Sequence, residues 1–335
     1  MAVELSMRAG RTWATMFGAA LLAVAGVATP ARAQQNWIGR ADALLRQGQI
    51  FRAETLYYYA ARSEPRNANP RLALGRYLAS RGALRVGAVL LEEARFFGGD
   101  RKLIAEHLAP VYARLGDYRA LSALPSSPLD YAERTRAEWL SEHVTETTGP
   151  DSVMIALATG GPSPLGQVLI TIGPDTLLAM IDVGVIGLVL DTSWVSRPGV
   201  KVFRSSSEPN AGNAAGVALT VGLGGPGGLV RSGIPVRFAP AAGPGMARIG
   251  VDVIEDFAPT WTRAGATGGT LVLRKAGKAP APSPTAERIP ILIRENDVTL
   301  VRFGGSMTSL GSQAQGALAS RWTLDVRHGE VVVDR

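Results

Sequence analysis

Residues 176–194 read TLLAMIDVGVIGLVLDTSW, and the fold turns on how they are parsed. Thr176 to Ile181 is almost wholly apolar, and Asp182 ends the run. Gly184 and Gly187 follow, and a second apolar run, Ile186 to Leu190, stops at Asp191. The pattern is strand, tight turn, strand. A carboxylate set between two buried strands is costly unless it is hydrogen-bonded or has a task. Glycine two places on lets the backbone turn sharply and present its N–H groups. Two readings stand: a plain hairpin with Asp182 in an Asx-turn, or a loop that displays the carboxylate for use.

Further features lie downstream. Ala247-Arg248-Ile249-Gly250-Val251-Asp252-Val253-Ile254 is an apolar segment broken by Gly-x-Asp, and Phe257–Trp261 and Gly269–Arg274 are further apolar runs. Taken with Asp182-Val183-Gly184-Val185, this order resembles the retropepsin-like aspartic proteases. Their active-site loop is apolar strand, Asp-Thr/Ser-Gly-Ala, apolar strand, and an Ile-Gly segment opens a late helix. The resemblance spans residues 151–275 and implies an all-β, closed, barrel-like domain with a short helix near Val251–Phe257. It makes Asp182 the catalytic residue, with Gly184 letting the loop approach its mate, and puts Ile249 and Gly250 in the binding wall beside it. One such domain carries one aspartate, so the second carboxylate must come from another copy across a two-fold axis. The pair would share one proton, one carboxylate activating water and the other polarising the scissile carbonyl. By position, Arg204 to Thr220 is the flap candidate, the alternative being an ordinary disordered loop.

Val183 departs from the pattern. The family's hydroxyl there bonds across the paired loops, and Val has the shape without the bond. Leaving the partner groups unpaired costs roughly 1–3 kcal/mol, and a dyad loosened by even an ångström loses about 10²-fold in rate. Val185 adds bulk where the family has a small residue.

Residues 34–135 show a different order. Gly48, Gly82 and Gly116 stand 34 residues apart, and so do Ala41, Gly75 and Ala109. Ala53, Tyr57, Ala60 and Pro65 follow the first glycine, Gly87, Leu91 and Ala94 the second; Leu108 and Tyr112 precede the third. Small residues let two helices pack closely, an aromatic fills the gap, and a proline ends the second helix. The period resembles the tetratricopeptide (TPR) repeat, which implies an α-solenoid whose groove binds peptide or protein ligands. The third copy degrades towards Pro125; Leu129 to His143 reads as one more helix that caps the array and Thr145 to Pro150 as a polar linker, so that 136–150, past the array, is cap and linker.

Residues 1–33 read as a signal peptide. Arg8 and Arg11 precede the apolar stretch Met16 to Ala28, and Ala31-Arg32-Ala33 is a small-x-small cleavage site. A periplasmic or secreted protein with no transmembrane span after processing is expected. The formal charge of +7 is a mild excess with no basic-aromatic cluster, which argues against nucleic-acid binding. There is no cysteine, so disulfides and thiol nucleophiles are excluded. His107, His143 and His328 lack ligand spacing, so neither metal nor cofactor is expected. Residues 276–288 form a Pro/Ala-rich linker. Residues 289–335 read as strands that either complete the preceding sheet or form a vestigial second lobe, with Phe303-Gly304-Gly305-Ser306 where the Asp motif would stand.

The expected architecture is therefore multidomain α + β, a TPR-like solenoid followed by a retropepsin-like barrel. Two functions follow from it. One is an exported, homodimeric aspartic endopeptidase of weak or absent activity. The other is a non-catalytic envelope scaffold, a pseudo-protease that binds protein partners.

Overall fold

Helical hairpins open the described part of the chain. The computed structural model describes residues 36–158, 165–204, 214–240, 246–264, 268–275, 278, 283–294, 297–301, 306–310 and 321–334. The expected signal peptide, residues 205–213 of the flap segment, part of the 276–288 linker and Phe303-Gly304-Gly305 lie outside them. Among the described residues there are seven α-helices. They are α1 (Trp37–Arg46), α2 (Ile50–Ser63), α3 (Ala68–Ser80), α4 (Leu84–Phe96), α5 (Arg101–Leu115), α6 (Tyr118–Ser122) and α7 (Tyr131–Glu142).

The glycine period has a local cause. Gly48, Gly82 and Gly116 each sit just past a first helix with positive φ (71°, 84° and 67°). In each case the next residue's N–H closes the same bond back to the helix: Gln49 to Leu44 O, Ala83 to Leu78 O, Asp117 to Tyr112 O. This is a Schellman-type stop, which only glycine makes without strain. The other ends are capped by side chains. Asn36, Asn67 and Asp100 accept from backbone N–H groups of α1, α3 and α5, and Asp130 with Glu133 forms a capping box on α7. Gly75 and Gly87 mark where α3 and α4 touch, since a Cβ on either would press on the other's carbonyl. The third hairpin is cut short: α6 has five residues, where α2 has 14 and α4 has 13.

A closed barrel follows. Its six strands are β3 (Gln167–Ile172), β4 (Asp175–Asp182), β5 (Leu188–Leu190), β7 (Ala214–Leu223), β8 (Leu229–Phe238) and β9 (Met246–Gly250). They join in the ring β8-β5-β9-β4-β3-β7, closed by β7 on β8. Two short strands extend the ring's edges: β1 (Thr147–Thr148) on β8 and β6 (Val200–Arg204) on β7. β7 and β8 form a hairpin, with Leu223 opposite Leu229 across a glycine-rich turn.

The Asp182 stretch is not a hairpin. β4 and β5 do not pair with each other, because β9 lies between them, parallel to β4 and antiparallel to β5. β5 is buried throughout and β4 is buried at Leu177 and from Ala179 to Ile181, so their backbone groups need partners on either edge, and a distant segment supplies one. Only the turn survives from the local reading: the Gly184 N–H donates to Asp182 Oδ1 at 2.8 Å.

Strands on both sides of the Pro/Ala-rich linker build a second sheet. It contains β2 (Ser152–Leu157), β10 (Thr260–Ala264), β11 (Gly268–Arg274), β12 (Glu287–Arg294), β13 (Asp297–Val301), β14 (Met307–Ser309), β15 (Arg321–Asp325) and β16 (Glu330–Asp334). β15 pairs directly with β10, and Trp261 and Trp322 stack in parallel with centroids 4.3 Å apart. The segment after residue 288 is thus continuous in sheet and core with 151–275 rather than a separate lobe. In place of the expected short helix, Val251–Val253 and Glu255–Phe257 form two 3-10 turns.

The array lies against the β part. Leu292 and Val301 share a core with Ala41, Ile50, Tyr57, Leu74 and Tyr77. Arg81 Nη1 donates to Ile291 O and, at 2.8 Å, to Gly329 O. Arg114 of α5 pairs with Glu255 at 3.0 Å, and Arg136 of α7 donates to Val236 O at 2.8 Å.

Candidate functional site

Two neighbouring turns make the site, one after β4 and one after β9. Parallel pairing sets Asp182 opposite Gly250 and Ile181 opposite Ile249. The Gly250 N–H donates to Gly187 O at 2.7 Å, tying the turns together. A Cβ at Gly250 would collide with Val185 O and Asp252 Oδ1, so the approach requires glycine there. The sequence-derived residues Asp182, Gly184, Ile249 and Gly250 therefore lie side by side, although their segments are 64 residues apart.

Each oxygen of the Asp182 carboxylate has a partner within its own chain. Oδ1 accepts from Gly184, and Oδ2 pairs with Arg248 Nη1 at 3.2 Å. Arg248 reaches it because it lies two residues before Gly250 on the adjacent strand. Val183 packs against the barrel core and Val185 is buried. Val183 is thus only partly buried, with one side on the core and the other on the surface beside it.

Asp252 carries chemistry that the sequence pattern did not assign. Its two oxygens accept from the Gly187 N–H at 3.0 and 2.9 Å. Burial pushes its carboxyl up to about 7; the Gly187 hydrogen bond pulls the other way, Glu255 adds to the rise, and Arg114 and Arg231 oppose it. The available signal was its place two residues after Gly250, where a short acidic side chain can fold back onto the neighbouring turn.

These turns face a chamber of about 860 Å³. Val183, Gly184, Val185 and Ile186 form one wall. Residues of α1–α5 form the opposite one, including Leu45, Ala73 and Val111, and Leu292 and Val298 close a side. The carboxylates on its walls are Asp42, Glu106, Asp252 and Glu255, whereas Asp182 is turned to Arg248. The volume suits a small ligand or a short extended peptide, mostly apolar contacts with a few fixed charges. Among the described residues no group of three or more His, Asp or Glu side chains has the geometry of a metal site.

No protein-family model matches the chain, and no curated protein matches it in sequence. Among solved structures, the chain is similar to a retropepsin-like aspartic protease from Rickettsia conorii. The match has 16% identity and a TM-score of 0.26, over 40% of this chain and 98% of that one. A superposition of that quality decides neither fold nor activity, and the barrel stands on its own strand pairings.

Proposed function

We propose that this protein is a non-catalytic, peptide-binding envelope protein in which a TPR-like array and a retropepsin-like barrel enclose one ligand chamber. The observation that carries this is the chamber's composition. The loop that would meet a second copy's loop in a dimeric protease instead faces the chain's own helices. The Arg248 ion pair and the packing of the partly buried Val183 against the barrel core fit the same reading. An extended peptide with apolar side chains is the ligand class that these walls suit. Export through residues 1–33 belongs to the proposal, and processing after Ala33 in a secreting host is its check.

The endopeptidase reading has one feature in its favour. Asp182 ends its strand beside Gly250 with a backbone N–H on its carboxylate, the placement a catalytic aspartate needs. One experiment separates the two. Purified residues 34–335, Asp182→Asn and Val183→Thr are assayed on a mixed peptide library for cleavage and for retention. Retention without cleavage by all three supports the binding protein. Cleavage that rises with protein concentration and is lost in Asp182→Asn establishes the dimeric protease instead.

A further inference from the structure

The third helical hairpin is unfinished, and what is missing leaves a shaped vacancy. α6 starts at Tyr118, 34 residues after α4 starts at Leu84, so the two begin in register. α4 then continues for 13 residues, whereas α6 stops after five and the chain turns off at Leu124-Pro125. A second helix of full length would have covered the outer side of α4 and the end of α5. There the structure has an open groove of about 1230 Å³.

The groove has a helix-receptive floor and a cationic rim. Val89, Phe96, Phe97, Leu115 and Pro125 supply apolar surface. Phe96 is 83% exposed and Val89 58%, which is unusual for large apolar side chains sharing one depression. The acidic residues nearby are used internally. Glu93 pairs with Arg71 at 2.8 Å, Glu92 holds Arg95 and the Tyr112 hydroxyl, and Asp117 caps the Ala120 N–H. Arg85 and Arg101 also line the groove and have no carboxylate partner among the described residues. The chain's own next helix, α7, is committed elsewhere. It packs on α6 and on β6 and β7, with Trp139 against Phe203 and Arg136 bonded to Val236.

We propose that this groove is a docking site for a short amphipathic helix of a partner protein, with an apolar stripe and acidic flanks, which completes the third hairpin. The apolar stripe would pack at i, i+3/i+4 and i+7 on Val89, Phe96 and Leu115. Its Asp or Glu side chains would meet Arg85 and Arg101 at the rim, where charge sets specificity and association rate more than affinity. The site is distinct from the chamber beside Asp182 and does not depend on what that chamber binds.

The test uses the full chain and a fluorescent 15-residue designed helix with a Leu stripe and Glu flanks. The controls are a Lys-flanked version and a scrambled one. Anisotropy should give a Kd on the order of 10 μM, as for small transient interfaces, rising with salt. The Lys-flanked and scrambled peptides should bind at least tenfold more weakly. Val89→Asp, and Arg85→Glu with Arg101→Glu, should each weaken the Glu peptide at least tenfold. The double variant should gain affinity for the Lys peptide. All three residues are exposed, so these variants are expected to fold, and circular dichroism checks it. Equal binding of all three peptides, no binding at millimolar concentration, or indifference to the substitutions overturns the proposal. Self-association of the chain that Val89→Asp abolishes assigns the groove to a second copy instead. Binding to anionic phospholipid vesicles that Phe96→Ser abolishes assigns it to a membrane surface.

Discussion

The turns after β4 and β9 lie against each other, and Asp182 and Asp252, both half-buried, have different surroundings there. Asp182 is partly open to water, faces a guanidinium and holds a backbone N–H. Asp252 is also half-buried, yet desolvation raises its carboxyl to about 7 despite Arg114 and Arg231. The residue in the motif position is thus held in an ion pair, while desolvation acts on its unheralded neighbour Asp252. Spacing along the chain locates a turn, but burial decides which carboxylate in it has unusual chemistry.

The strongest way to break this arrangement is at the contact between the turns. Gly250→Val should abolish soluble, folded protein, a loss of more than about 4 kcal/mol, because the side chain meets Val185 O and Asp252 Oδ1. Gly225→Ala is the control: it has positive φ but open space around it, and should cost only about 1 kcal/mol. Soluble yield and thermal unfolding read both. A folded Gly250→Val would mean that the two turns do not touch.

Next comes the charge that joins the β9 turn to the array. Arg114→Ala leaves Glu255, whose side chain is 11% exposed, without its partner. The expected loss is about 3 kcal/mol, seen as a lower Tm. An unchanged Tm would show that the array and the barrel are not coupled there.

A pH series sharpens the contrast directly. Asp252 titrates near 7 in the folded protein against an ordinary value of 3.8. Between those values the folded chain keeps a proton that the unfolded chain has released. Stability therefore falls as pH rises from about 4 to about 7, by roughly 2–4 kcal/mol. Asp252→Asn should remove that slope and make the protein more stable than its parent at pH 8. A slope that persists in the variant would assign the titration to another group.

Asp182→Asn is the small-effect member of the set. Its pair with Arg248 is about a third exposed, so the cost should stay within about 1 kcal/mol. A larger loss would place Asp182 among the structural supports of the turn.

The helix stops were readable because their cause is local. A positive-φ glycine and one five-residue hydrogen bond recur every 34 residues, so the spacing carries the structure. The end-to-end pairing of Asp182 with Gly250 came only through a family resemblance. The hairpin reading of residues 176–194 failed for the same physical reason: β9 enters from 64 residues away, and no local pattern announces it. The linker at 276–288 looked like a boundary because its composition is loop-like, but composition does not say which strands pair across it. The spacing shows Asp252 two residues after Gly250, but neither its raised carboxyl nor the helices that face it, because burial belongs to the folded whole.

The stack of Trp261 on Trp322 has a consequence in time as well as in space. β10 waits for β15, and Arg81 of the array waits for the carbonyls of Ile291 and Gly329. During synthesis, the hairpins can form as they emerge, since their contacts are local. Neither the second sheet nor the seat of the array can close until residues 321–334 have left the ribosome. A nascent chain halted before that point would expose Trp261 and the unpaired edge of β10, the sort of surface that chaperones hold and proteases clear.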